Sequence, residues 1–259
     1  MDHTSRTPVE AAPYFSMYTS LQNLYLKKVK DLFSFLTKKR MNFFASIVAT
    51  FLIEPYNTMY AAYLMQKGLK NKKIINLNPK SLSGDQLKCA PVLLIHGDSS
   101  NSGLFAPMID QIARDAPNKP IFTIDLTSAD GIVSAKKHLY VIAAKVYEIA
   151  ALYPRLECPK ISFIGHSSGG DVLGPLIRLM STEKGPQSGT IIKIGSIFKK
   201  VEAEEFGRYS HEKVIEIVGT KDVFEGCESH LPNKLIVVSG HLGLLFNKTV
   251  LKNVSKYIL

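Results

Sequence analysis

A serine set between glycines is the residue of this sequence best suited to covalent chemistry. The segment Gly165-His166-Ser167-Ser168-Gly169 follows a short apolar run at 161–164 and precedes a stretch of helical periodicity at 170–180. In such a strand–turn–helix setting the glycines leave room for a sharp turn that exposes the serine Oγ. The start of the following helix adds positive potential where an oxyanion would form. The pattern therefore predicts Ser167 as a nucleophile.

A serine hydroxyl is a poor nucleophile unless a neighbouring base takes its proton, so a histidine is required. Downstream of Ser167, His241 directly follows the last predicted strand. His211 lies in a polar helical stretch and His230 in a loop, and we interpret both as surface residues. We therefore predict His241 as the base.

An acid must hold the imidazole in one tautomer and offset its positive charge. Asp222 follows the strand predicted at 214–218, as a residue at the carboxyl edge of a sheet would. Glu216 lies within that strand, and Glu225 and Glu228 lie farther along the loop. The position of Asp222 directly after a strand therefore favours it as the acid.

The oxyanion of an acyl-transfer reaction needs backbone N–H donors. We predict one from Ser168, the residue after the nucleophile, and one from Asp98 in the loop after the first strand. The acidic side chain of Asp98 would be unfavourable there unless it points away. His96, in the same loop, could be a second base or a metal ligand, but we favour a structural residue that orients the loop.

Six short apolar runs predict the strands that position these residues. They are Pro91–His96, Ile121–Leu126, Ile161–Gly165, Thr190–Ile194, Val214–Val218 and Lys234–Val238. Helical candidates fall between and after them, at 103–114, 131–153, 168–182, 201–210 and 242–258. Buried strands that alternate with helices predict an α/β fold, with a mostly parallel six-stranded sheet and helices on both faces. Leu104 and Phe105 could line an acyl pocket, but we expect them in the core.

Four motifs in chain order resemble those of small lipases and carboxylesterases of the α/β-hydrolase fold. They are PVLLIHG at 91–97, GHSSGG at 165–170, VGTKDVF at 218–224 and SGHLGLL at 239–245. The resemblance covers residues 90–259, about two-thirds of the chain. It implies a catalytic triad of Ser167, Asp222 and His241, with Asp98 and Ser168 as the oxyanion hole. Asp98 departs from the family, whose members commonly have an apolar residue there.

The activity that this resemblance implies is hydrolysis of carboxylic esters, lipid esters among them, through an acyl-enzyme. A thioesterase or acyltransferase would use the same residues. A non-catalytic protein that uses the fold as a binding scaffold is a further alternative. We expect neither a metal nor a nucleotide cofactor, because the sequence has no HExxH, no Walker A segment and no GxGxxG after a strand.

We predict two parts of the chain. Residues 1–85 form a helical, basic N-terminal extension and linker, and residues 86–259 form the catalytic domain. The extension holds 12 Lys or Arg against 5 Asp or Glu, whereas the remainder holds 20 against 17. Helical periodicity covers 21–36, a second stretch covers 42–66 with a kink at Pro55, and a linker follows at 67–88. We interpret these helices as an ordinary solvated surface, as a cover over the active site or as a peripheral contact with a membrane.

The apolar run at 41–53 is 13 residues long, short of the roughly 20 that span a bilayer, so we expect a core or interfacial helix. No nucleic-acid-binding motif accompanies the basic residues, and we expect no nucleic-acid partner. The first residues show no secretory signal, and the three dispersed cysteines predict no disulfide framework. The expected location is the cytoplasm or the periphery of a membrane.

Overall fold

The computed structural model describes residues 52, 54–70, 82–126, 138–153, 160–182, 185–196, 214–222 and 233–259. The chain divides into two units, 1–53 and 54–259, and the second unit contains every element below. The helices predicted at 21–36 and 201–210, and the residues His211, Glu225, Glu228 and His230, lie outside the described residues.

The second unit is built on a six-stranded sheet in which every described pairing is parallel. The strand order is β2-β1-β3-β4-β5-β6. The bounds are β1 Val92–Ile95, β2 Ile121–Ile124, β3 Ile161–His166, β4 Ser188–Ile194, β5 Val214–Gly219 and β6 Lys234–Val237. All six predicted strands are confirmed, each within two residues at either end. The parallel arrangement brings the carboxyl ends of the strands to one edge, where the predicted catalytic residues follow.

The described helices cover both faces of the sheet. They are α1 Pro55–Lys70, α2 Ala106–Asp115, α3 Leu139–Ala150, α4 Ser168–Asp171, α5 Leu173–Thr182 and α6 Lys248–Ile258. Short 3-10 helices at Ser102–Phe105 and Gly243–Leu245 precede α2 and α6. Of the predicted helix at 131–153, residues 131–137 lie outside the described part.

Two apolar cores form because β1 to β5 are buried on both faces. One core packs strand residues such as Phe163 against α3 and α5. The other packs strand residues such as Ile192 against α2 and α6. Leu104 and Phe105 are each 1% exposed and belong to the second core, which confirms that they are core residues.

Strand β6 differs from its prediction as a buried strand. Lys234 and Ile236 are exposed, Ile236 to 48%, while Val237 is buried. β6 pairs with β5 alone in the described sheet and ends it on one side. An edge strand has fewer neighbours to cover its side chains, although β2, at the opposite edge, is buried along its whole length.

Helix α1 packs directly on the sheet domain. Proline at the first helical position fits its start at Pro55, because the missing N–H has no helical partner there. The Asn101 side chain donates to the Met65 carbonyl at 3.1 Å. A Cβ placed on Gly103 would lie 2.4 Å from the Leu64 carbonyl oxygen, so only glycine permits this approach. Helix α1 therefore belongs to the same unit as the sheet, residues 54–259.

No helix among the described residues is both long and apolar enough to cross a bilayer.

Candidate active site

Ser167 occupies a strained turn between β3 and α4. Its φ is 55° and its ψ is −131°, a region that costs a non-glycine residue about 1–3 kcal/mol. The turn is closed by neighbours without side chains, since a Cβ on Gly165 would lie 2.4 Å from the Gly169 carbonyl oxygen. The Ser167 N–H donates to the Ile194 carbonyl at 2.9 Å, which ties the turn to the end of β4. This is the sharp elbow that the sequence predicts.

The structure joins the predicted acid to the predicted base. His241 Nδ1 lies 2.8 Å from Asp222 Oδ2, and both residues are buried. Because a carboxylate only accepts, Nδ1 carries a proton, and in the neutral form of the ring Nε2 keeps its lone pair. That tautomer is the one a general base requires.

The loops that carry this pair are tied together at the end of the sheet. Asp222 lies in a turn after β5, where its N–H donates to the Gly219 carbonyl at 3.1 Å. In the same turn the Lys221 N–H donates to the Ser239 carbonyl at 3.0 Å. Ser239 precedes His241 by two residues, so the two loops hold the acid against the base.

Gly195 places the end of β4 against the same pair. Its φ is +55°, and an added Cβ would lie 3.1 Å from His241 Nδ1 and 3.2 Å from Asp222 Oδ2. Since Ile194, the preceding residue, accepts from the Ser167 N–H, the end of β4 touches both the elbow and the His–Asp pair.

His166 was missed from the sequence, although it lies within the serine motif. Its Nε2 lies 3.2 Å from the His241 carbonyl oxygen, and the two imidazole rings are 4.7 Å apart. Since the carbonyl accepts, Nε2–H donates. Burial, followed by the nearby His241, lowers the pKa of His166 to about 3, so its ring is neutral. A buried donor thus links the residue before Ser167 to the backbone of the predicted base.

The predicted oxyanion residues lie next to each other. The Ser168 Oγ donates to Asp98 Oδ1 at 2.6 Å, so the carboxylate is turned toward the start of α4 and not away from it, the orientation expected from the sequence to be unfavourable beside an oxyanion. The same loop lies against the nucleophile, because a Cβ on Gly97 would be 2.7 Å from the Ser167 Cβ. The two backbone N–H groups proposed for the oxyanion therefore belong to segments that flank Ser167.

His96 orients this loop, as the sequence suggested. The Leu126 N–H donates to its Nε2 at 3.0 Å, so the neutral ring carries its proton on Nδ1. That nitrogen lies 2.8 Å from the Gly97 carbonyl oxygen, to which it donates. Burial lowers the pKa of His96 and keeps this neutral form. Both ring nitrogens are thus engaged in structural bonds, and the described residues contain no cluster of three or more His, Cys, Asp or Glu suited to a metal.

The fold is similar to that of solved structures of other proteins. A gene product from Listeria innocua superposes with a TM-score of 0.50 at 14% identity, over 65% of this chain and 93% of its own. Lipase B from Aspergillus fumigatus gives a TM-score of 0.50 at 13% identity, over 68% of this chain and 54% of its own. No protein-family model matches the sequence, and no curated protein does.

The chain has the α/β-hydrolase fold. At these identities the likeness establishes the fold alone, and the activity must be argued from the site.

Proposed function

We propose that this protein is a serine hydrolase that cleaves carboxylic esters, lipid esters among them. The observation that carries the proposal is the buried His241–Asp222 hydrogen bond at 2.8 Å, held beside a strained elbow that presents Ser167. Strain at a polar residue in a turn is typical of functional sites. A purely structural turn would not require a positive φ at serine next to an oriented imidazole.

In the proposed reaction, Ser167 Oγ attacks the ester carbonyl carbon while His241 Nε2 takes the hydroxyl proton. The tetrahedral oxyanion accepts hydrogen bonds from the N–H groups of Asp98 and Ser168. The C–O bond to the alcohol breaks as His241 returns the proton to the leaving oxygen, which leaves an acyl-enzyme. Water, deprotonated by His241, then releases the acid and restores Ser167. Throughout, Asp222 stabilises the imidazolium and fixes its orientation.

The same residues would serve a thioester, since only the leaving atom differs. The alternative functions are therefore distinguished by the substrate test. They are thioesterase, acyltransferase and non-catalytic binding scaffold.

The test is hydrolysis of p-nitrophenyl esters from acetate to palmitate by the wild type, Ser167→Ala and Ser181→Ala. Loss of the nucleophile should lower kcat by several orders of magnitude. Ser181 is the matched control, because it lies in α5 and its hydroxyl donates to the Ile177 carbonyl of the same helix at 2.8 Å. A fluorophosphonate should label the wild type and the control but not Ser167→Ala.

The chain-length profile separates esterase from lipase, and acyl-thioester substrates test the thioesterase alternative. If the folded wild type cleaves none of these substrates and Ser167 resists the probe, the hydrolase proposal is wrong and the binding scaffold replaces it.

A further inference from the structure

Glu54 places a buried carboxylate against the loop that carries His241. The side chain is 5% exposed although it lies just before α1 and 187 positions before the histidine. Its Oε2 accepts from the Leu242 N–H at 3.0 Å, and its Oε1 accepts from the Gly243 N–H at 2.9 Å. The Asn57 side chain donates to Oε1 at 3.1 Å. Two of these three donors are the backbone amides that directly follow His241.

The loop is shaped around this carboxylate. A Cβ on Gly240 would lie 2.3 Å from the Glu54 Cδ, and a Cβ on Gly243 would lie 2.4 Å from its Oε1. Glycines on both sides of the His241–Leu242 dipeptide thus leave the space that Glu54 fills. Neither glycine has a positive φ, so the backbone conformation does not require glycine at these two positions. The close approach of Glu54 does.

The peptide unit between His241 and Leu242 is held at both of its polar ends. Its carbonyl oxygen accepts from His166 Nε2 at 3.2 Å, and its N–H donates to Glu54. A peptide group is planar, so two bonds on opposite sides fix its rotation. That rotation sets the direction in which the His241 side chain leaves the backbone.

An ionised Glu54 carboxylate can accept hydrogen bonds on both of its oxygens, as the three donors require. Burial raises the pKa of Glu54, while the bonds from Leu242, Gly243 and Asn57 and the nearby His241 oppose the rise. An uncharged amide of the same shape would turn one N–H donor toward another, because a glutamine side chain has a single oxygen.

We propose that Glu54 is a positioning residue for His241, which fixes the backbone that follows the histidine and so holds its imidazole between Asp222 and Ser167. This inference rests on the proposed function and adds a residue from outside the region that resembles hydrolases. It also assigns a role to α1, which begins directly after Glu54 and is docked through Asn101 and Gly103 beside the oxyanion loop.

The test compares Glu54→Gln and Glu54→Ala with the wild type in the full chain. We expect kcat for a short p-nitrophenyl ester to fall about tenfold for Gln and about a hundredfold for Ala, with KM little changed, since small misplacements of a catalytic group have effects of this size. A second readout does not depend on turnover. The low-field proton resonance of the His241–Asp222 bond, assigned by its loss in His241→Gln, should shift or broaden in both variants.

Ile149→Ala is the control for stability. Ile149 is fully buried in α3, within the core on the other face from α2 and α6, so its loss destabilises the fold without touching Glu54. It should lower the melting temperature but leave kcat and the resonance unchanged well below that temperature. Glu54→Gln keeps the side-chain volume and serves if Glu54→Ala does not fold.

Wild-type kcat and an unshifted resonance in a folded Glu54 variant would overturn the inference. Equal losses of kcat in the Ile149→Ala control would overturn it as well. If the wild type neither turns over esters nor reacts with the fluorophosphonate, the proposed hydrolase function fails, and the resonance alone decides the role of Glu54. A shifted or broadened resonance in the Glu54 variants then supports the role of Glu54 in positioning His241, and an unchanged resonance refutes that role.

Discussion

The protonation state of His166 follows from its surroundings at the scale of single residues. The ring is buried between the elbow and His241, and its Nε2–H donates to the His241 carbonyl. A charged imidazolium there would lose its hydration and lie beside a second imidazole. Both effects lower the pKa of His166, to about 3 from 6.5.

This shift makes a specific prediction for acid stability. The unfolded chain protonates His166 below its ordinary pKa of 6.5, whereas the folded chain does not do so until about pH 3. The free energy of unfolding is therefore unaffected by the titration of His166 above pH 6.5. It decreases as the pH falls from 6.5 toward 3, by up to about 1.4 kcal/mol per pH unit for this one proton. His166→Gln, whose amide can still donate to the His241 carbonyl, should lose free energy of unfolding less steeply between pH 7 and 4.5 in urea titrations.

The comparison isolates His166, because His96, whose pKa is also lowered by burial, is present in both proteins. Parallel curves for the wild type and His166→Gln would contradict the prediction.

At the scale of elements, the strands and the residues that follow them were predictable for one reason. Short apolar runs mark buried parallel strands, and their carboxyl ends meet at one edge. The positions of Ser167, Asp222 and His241 directly after strands, at that edge, could therefore be predicted from the sequence. The exposure of β6 could not, because it depends on which other elements cover the edge of the sheet, and no local pattern records that: β2 lies at the opposite edge and is buried.

The contacts of Glu54 and His166 were not predictable for a related reason. The Glu54 bond to Leu242 joins residues 188 apart, and the His166 bond to His241 spans 75. Each depends on how loops from distant elements meet, and the local sequence around Glu54 shows only the end of an apolar run before a proline.

Strands β4 and β5 carry a pair of opposite charges in the interior. Lys193 and Glu216 are register partners on these neighbouring strands, and both are 0% exposed. Register partners point to the same face of a sheet, so we predict that the two charges stabilise each other. Leaving one buried charge without its partner costs about 3–5 kcal/mol, whereas replacing both with apolar residues is often neutral.

A double-mutant cycle measures this coupling. Lys193→Met and Glu216→Leu should each lower the free energy of unfolding strongly, and the double variant should lose much less than the sum of the two. Ile192→Val, one residue from Lys193 on the opposite face, is the control for simple disturbance of β4 and should lose about 0.5–1.5 kcal/mol. Additive losses in the cycle would show that the two charges act independently.

The whole molecule divides between Ile53 and Glu54, so the chain can be shortened there with Glu54 and α1 kept. Residues 1–53 hold seven Lys or Arg against three Asp or Glu, together with the apolar run at 41–53. Basic residues near an anionic membrane surface contribute about 1 kcal/mol each, and salt weakens this attraction. We therefore propose that this segment brings the enzyme to membranes and that residues 54–259 contain the hydrolase.

The last prediction follows from this division. A chain of residues 54–259 should hydrolyse short, soluble p-nitrophenyl esters as the full chain does, because every residue proposed for the site remains. It should fail to sediment with vesicles of phosphatidylcholine and phosphatidylserine, whereas the full chain sediments with them in low salt and not with phosphatidylcholine alone. Its turnover of long-chain esters presented in those vesicles should fall accordingly.

Two further chains make the prediction specific. A chain that begins at Asn71 lacks Glu54 and α1 and should lose turnover of short and long esters alike, which separates damage to the site from loss of membrane contact. Full-length Ser167→Ala should bind vesicles like the wild type, since the proposed attraction is independent of catalysis. If residues 54–259 bind anionic vesicles as tightly as the full chain, the basic segment is not the membrane contact. A loss of short-ester turnover in that same chain would instead show that residues 1–53 are needed by the site itself.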